Sequence, residues 1–196
     1  MLLFIDTEFT DLLSPVLISI GIVAQTGPEF YAEIPFVSDE CTAFVRETVL
    51  PLLGKEPNAA CTKFELRSRI LSWIEIIRPP GEEIVICADN QIDIDLLSDA
   101  LDYRPPGWME FRLIGQYVDQ SLINRFFAEE GLSRHHALSD ARANRYAYRS
   151  ACDQVLFSLD TDKFTQFAGA LDTRSDPNPG LERLMDIKAP WDGATP

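Results

Sequence analysis

Two carboxylates stand two residues apart near the start of the chain, Asp6 and Glu8 in LLFIDTEF. On an extended backbone that spacing points both side chains to one face. Asp6 ends an apolar run, so the pair falls at or near the core. There, two carboxylates repel each other unless cations lie between them. A second acidic group, Asp89, Asp93 and Asp95, follows the apolar run EIVICA. Each of these acids taken singly suits a helix N-cap or first turn. A third acidic position, Asp140, lies in LSRHHALSDAR, which also holds both histidines of the chain, His135 and His136.

Taken together, three separate segments each bring an acid to a point where a strand ends or a helix begins. Functional sites are built at such places in α/β sheets. An oxygen-only set made of Asp6, Glu8, Asp93 and Asp140 suits Mg²⁺ or Mn²⁺, which prefer hard oxygen ligands. The histidine and cysteine content is too low for a structural zinc site. Two such cations about 3.5–4 Å apart stabilise the attacking and leaving oxygens of a phosphodiester displacement. A water nucleophile also needs a general base, and histidine titrates in the right range. From the residues alone, either His135 or His136 can serve.

The elements that must hold these groups can be read from the pattern of apolar residues. LLFID (2–6) reads as a buried central strand, VLISIGIVAQ (16–25) as a second and FYAEIPF (30–36) as a third, with TGPE (26–29) as a turn. Short links make these three an antiparallel meander. TAFVRETVLPLL and ELRSRILSWIEII have helical spacing, the second with Leu66, Ile70, Trp73 and Ile77 on one face. EIVICA (83–88) is a further buried strand, and a helix is predicted to open at Asp93. FRLIG (111–115) gives a fifth strand, and QSLINRFFAEEG (120–131) a helix closed by Gly131. The last clear helix is predicted from an N-cap at Ser139 to about Val155, one face carrying Asp140, Asn144, Ala147 and Ala151. The fold class is α/β: a mixed five-stranded sheet, part antiparallel and part parallel, flanked by helices. Residues 1–171 are expected to form a single domain that includes a helix-like stretch at 160–171. Residues 172–196, rich in Pro and Gly, are expected to be a poorly ordered tail.

Bulk composition limits the alternatives. The chain has 196 residues, 46% of them hydrophobic, enough for a substantial core. With 17 Lys+Arg against 31 Asp+Glu, its formal charge is −14. That argues against a protein that coats nucleic acid through a broad basic surface. It leaves room for an enzyme that grips a phosphate backbone locally, because bound cations can supply positive charge. Cys41, Cys61, Cys87 and Cys152 form no CxxC pair and read as reduced, buried residues. The apolar start is too short for a signal-peptide core, and no run is long enough to span a membrane, so a cytoplasmic protein is expected.

These motifs together resemble the DEDDh 3′–5′ exonucleases of the ribonuclease H-like superfamily. The closest likeness is to the bacterial ribonuclease T/oligoribonuclease-like and related 3′–5′ exoribonuclease proteins. DTEFT supplies the family's DxE pair as Asp6 and Glu8. DNQIDIDLL supplies its next aspartate as Asp93, with Asp89 where an Asn is common and Ile92 where an aromatic is usual. HHALSDA fits H-x-A-x-x-D, with Asp140 as the fourth carboxylate. The resemblance spans about residues 2–150. A sister class carries Tyr four residues before the last aspartate; that position here is His136. The resemblance therefore implies His135 as the base. It further implies a ribonuclease H-like fold, two divalent cations (Mg²⁺ or Mn²⁺) held by Asp6, Glu8, Asp93 and Asp140, and release of nucleoside 5′-monophosphates.

The implied substrate is a single-stranded 3′ end, RNA in preference to DNA. Thr7, Glu8, Phe9, Thr10, Leu13 and His135 are expected to contact it, with Phe9 as a stacking residue or a core residue. Arg142, Arg145 and Arg149 recur at helical spacing. They are either a solvated face paired with acids or a phosphate contact, and several relatives are homodimers. Two other functions are compatible with the same residues: a non-catalytic module that binds nucleic-acid ends or a protein, and a phosphodiesterase of small nucleotides.

Overall fold

The computed structural model describes residues 1–148. The helix-like stretch at 160–171, the tail, Cys152, Arg149 and Ala151 lie outside the described residues. The described residues make five strands, β1 (Leu2–Phe9), β2 (Leu17–Ala24), β3 (Glu29–Glu33), β4 (Ile84–Ala88) and β5 (Met109–Leu113). Their order in the sheet is β3-β2-β1-β4-β5. β1, β2 and β3 form the antiparallel meander, and β4 and β5 run parallel to β1. Among the described residues five α-helices accompany them: α1 (Ala43–Thr48), α2 (Lys63–Ile77), α3 (Gln91–Ala100), α4 (Gln120–Glu130) and α5 (Ala137–Ala147). The mixed, helix-flanked sheet expected from the sequence is the sheet observed.

Side-chain alternation along the central strands sorts the apolar residues to two faces. Leu3, Ile5, Ile20, Ile22 and Ile86 join Leu66, Ile70 and Ile74 of α2 and Leu96 and Leu97 of α3 in one core. Phe4 and Cys87 face the other way, onto Ile123 and Phe127 of α4 and Ala143 and Ala147 of α5. β2 is buried along its whole length, which is why it reads as a continuous apolar run. Trp73 and Ile77 only flank the first core; the inward residue on that turn of α2 is Ile74. Among the described residues no helix is long and apolar enough to cross a membrane.

Several boundaries differ from the sequence expectation, each for a local reason. The helical segment before residue 53 is split, because Pro51 falls in a separate 3₁₀ turn (Leu50–Leu52). α3 begins two residues before Asp93, because Asn90 caps it by accepting from the Ile92 amide at 3.1 Å. α5 begins at Ala137, so Ser139 is a buried helical residue and no cap. It ends at Ala147, not near Val155. Tyr148 turns to extended backbone and pairs with Val118, while the Asp119 amide donates to the Ala147 carbonyl at 3.1 Å. α4 closes at Gly131, which is left-handed at φ 63°, as the sequence predicted. Cys41, Cys61 and Cys87 are buried free thiols.

Candidate active site

β1 continues unbroken through Glu8, so Asp6 and Glu8 stand on the strand itself. Two apart, they share the face of Phe4, toward α5. The ladder between β1 and β2 slips between Glu8 and Phe9, a bulge of the kind that re-aims side chains next to active sites. On the other side of β1, the parallel register pairs Ile5 with Ala88. Each of these is followed by an aspartate, Asp6 within β1 and Asp89 just past the end of β4, so the two acids are neighbours.

α3 and α5 bring the remaining carboxylates. Asp93 lies in the first turn of α3 and is buried. Thr7 fixes it from behind: the Thr7 amide donates to Asp93 Oδ1 at 3.0 Å and the Thr7 hydroxyl at 2.6 Å. Asp140 lies in the first turn of α5 and takes the His136 amide at 3.0 Å. That hydrogen bond satisfies an otherwise orphaned helix-start donor and holds the histidine segment against the helix. α5 approaches the sheet closely because its inner face is small and β2 offers Gly21. A Cβ at Gly21 would stand 2.4 Å from the Ala137 oxygen and the Leu138 backbone.

The five acids form two triads that share Asp6. Asp6, Glu8 and Asp140 can present one carboxylate oxygen each within 4.8 Å of one another, and so can Asp6, Asp89 and Asp93. Burial is the largest cause of their altered acidity and mutual repulsion adds to it. Asp6 is held well above the usual carboxylate range by burial, then by Asp93, Asp140 and Glu8. Glu8 is pushed up to about 8 by burial, Asp140 and Asp93. Burial raises Asp93 to about 7 against the pull of the Thr7 hydroxyl. It raises Asp140 to about 6 against the amides of His136 and His135 and the charge of Arg134. Asp89 is raised too, by burial, with the Asn144 amide acting the other way. A crowded, partly desolvated set of hard oxygen donors short of positive charge is what Mg²⁺ or Mn²⁺ would fit.

The two histidines are separated by their surroundings. His135 adopts a left-handed backbone, φ 61°, and its ring meets Phe44 edge-on at 4.9 Å. His136 turns the other way and stacks on Tyr31 at 4.7 Å, with a buried Nδ1 that has no hydrogen-bond partner. His135 lines a cleft of about 820 Å³ together with Asp6, Glu8 and Asp140, and His136 does not. Burial and the Arg134 charge hold His135 below its ordinary value.

The residues expected to contact a substrate divide. Phe9 lines the cleft while packing on the core, and Leu13 stands fully exposed on its rim. Thr7 is buried, with its hydroxyl spent on Asp93. Thr10 is fully buried: its hydroxyl accepts from the Val16 amide at 3.2 Å and its carbonyl from the Thr42 amide at 3.1 Å, which ties the 11–15 loop to the start of α1. The cleft wall also includes Phe44, Val45 and Val49 from α1 and the turn after it, a placement that no local pattern foretold. Arg142 grips Glu29 with two hydrogen bonds, at 2.8 and 2.5 Å, and Arg145 donates to the Ala24 carbonyl at 3.2 Å. Both pin α5 to the meander; Arg142 is acid-paired, as one alternative expected, whereas Arg145 meets a backbone carbonyl.

No family model matches the chain, and no curated protein does. Among solved structures the chain is similar to the nuclease domain of 3′hExo, described as a DEDDh family member bound to rAMP. The likeness is 12% identity over 74% of this chain and 87% of that one, with a TM-score of 0.48. At that level the chemistry of the site has to be read from its own residues.

Proposed function

We propose that this chain is a divalent-cation-dependent 3′–5′ exonuclease. It hydrolyses phosphodiester bonds at single-stranded ends and releases nucleoside 5′-monophosphates. One observation carries the reading: carboxylates from β1, β4, α3 and α5 converge on Asp6 beside a cleft that holds a histidine ring and an apolar wall. The direction of attack and the preference for RNA over DNA rest on the motif resemblance alone.

Asp6, Glu8, Asp93 and Asp140 would hold two cations, Mg²⁺ or Mn²⁺, which supply positive charge at the scissile phosphate. His135, kept neutral near neutral pH by burial and Arg134, takes a proton from the attacking water. As the water oxygen bonds to phosphorus, the bond to the 3′ oxygen of the preceding nucleotide breaks. The edge of Phe44 restrains the His135 ring. Phe44, Phe9 and Leu13 offer apolar surface to the terminal base, and base stacking of this kind tolerates any sequence. Thr7 and Thr10 act from behind, on Asp93 and on the 11–15 loop.

A second reading, a phosphodiesterase of short or small nucleotides, is favoured by the internal engagement of Arg142 and Arg145. These leave less of α5 to track a long phosphate backbone. One experiment addresses both. RNA and DNA oligomers from two nucleotides upward are digested with Mn²⁺, with His135→Ala as control. Mononucleotide release from long oligomers that the variant loses supports the exonuclease. Turnover confined to dinucleotides supports the second reading, and no release from any substrate overturns both.

A further inference from the structure

Resting on that nuclease reading, we propose that Asp89 is a direct ligand of the second cation, held for that purpose by Asn144, so that the centre uses five carboxylates. Three observations converge. The parallel register of β1 and β4 sets Asp89 beside Asp6, and its carboxylate joins Asp6 and Asp93 in the second triad. Asn144, only 4% exposed, donates its side-chain amide to Asp89 Oδ1 at 3.0 Å. The backbone there is fixed as well, since a Cβ at Gly115 would stand 2.6 Å from the Asp89 carbonyl oxygen.

The choice of partner is informative. An Arg or Lys facing Asp89 would neutralise it as an ion pair. Asn144 is a neutral donor. It orients one carboxylate oxygen and leaves the charge uncompensated, next to half-buried Asp6 and buried Asp93. Asn144 also lies one helical turn beyond Asp140 on the same face of α5. One helix thus supplies a carboxylate to the first triad and the positioning residue of the second. Asn144 is a positioning residue; Asp89 is the ligand.

The test is Mn²⁺ binding to the full chain, followed by calorimetry and by the electron-spin signal of free Mn²⁺, without any substrate. Wild type is expected to bind two ions. Asp89→Asn keeps the shape and the Asn144 contact but removes the charge. It should retain one tight ion and weaken the other at least about tenfold. Asn144→Ala, which leaves every carboxylate in place, should weaken the same ion by a smaller factor. Thermal melting of each variant shows that it is folded. Two ions of wild-type affinity in Asp89→Asn overturn the proposal, as does a wild type that binds a single ion. A wild type that binds no Mn²⁺ at all overturns the nuclease reading itself.

Discussion

Without cations the acidic centre should work against the fold, and pH exposes by how much. Glu8 moves from 4.5 in the unfolded chain to about 8 in the folded one. The folded state therefore holds this proton more tightly. The stability it brings is complete below 4.5 and is lost as pH rises through about 8. At about 1.4 kcal/mol per pH unit, that displacement corresponds to roughly 5 kcal/mol. Asp93, raised to about 7, and Asp140, raised to about 6, act in the same direction. Rotation of the carboxylates and water entering the cleft relieve part of the repulsion, so a loss of about 2–5 kcal/mol is expected. For a chain of this size each kcal/mol moves Tm by roughly 2–4 °C. The EDTA-treated protein should then melt roughly 5–20 °C lower at the alkaline end of the window than at the acid end. Circular dichroism melts across the window measure this directly. Glu8→Gln should flatten the slope, and saturating Mn²⁺ should raise Tm most at alkaline pH, because it binds the ionised folded form. Equal slopes in wild type and Glu8→Gln, or a Tm that does not fall with pH, would show that the acidic centre does not oppose the fold.

Gly21→Ala should destabilise the chain by about 1–3 kcal/mol in urea unfolding. It should also weaken Mn²⁺ binding, because α5 carries Asp140; unchanged binding would separate the packing from the site. Thr7→Val removes the hydroxyl that donates to Asp93 but keeps the amide. It should lower stability by about 1.5–3 kcal/mol in the presence of Mn²⁺ and reduce the hydrolysis rate. Phe44 is 54% exposed, so Phe44→Ala should leave Tm nearly unchanged. If Phe44 stacks on the terminal base, KM for an oligonucleotide should rise about tenfold, since stacking contributes about 1–3 kcal/mol per base. Thr62 and Glu65 form a reciprocal cap on α2, outside the cleft. Thr62→Ala should therefore cost about 1 kcal/mol of stability and leave hydrolysis unaltered.

Much of the scaffold was legible in the chain because it depends on short-range pattern. The meander follows from three short apolar runs with brief links, and β4 from an uninterrupted apolar stretch. The α4 terminus follows from Gly131, whose lack of a Cβ permits the left-handed turn. The helix starts were harder. Ser139 is a good cap by type, but the cap-side amide of α5 is satisfied by Asp140 reaching back from within the helix. The end of α5 is set by Tyr148 pairing with Val118, a contact 30 residues away in sequence that no local propensity reports. Thr7 and Thr10 were expected at the substrate by resemblance, and Thr7 does line the cleft. What the sequence did not show is that their hydroxyls are used internally, on Asp93 and on the Val16 amide.

For the site, sequence alone determined the inventory. The spacing of Asp6 and Glu8 places them on one face of a strand, and Asp93 and Asp140 each fall near the start of a helix, because those periodicities are properties of the backbone. Periodicity left His135 and His136 open, and only the motif spacing, by resemblance, pointed to His135; tertiary packing sets the His136 ring on Tyr31 and the His135 ring in the cleft. Nor could the sequence reveal Asp89 as more than a helix-start acid. Only the parallel register of β1 and β4 sets that carboxylate beside Asp6, and only the fold of α5 across both strands brings Asn144 to hold it. Strand register and helix docking are fixed by contacts between residues far apart in the chain, so the number and grouping of the acids became visible only in three dimensions.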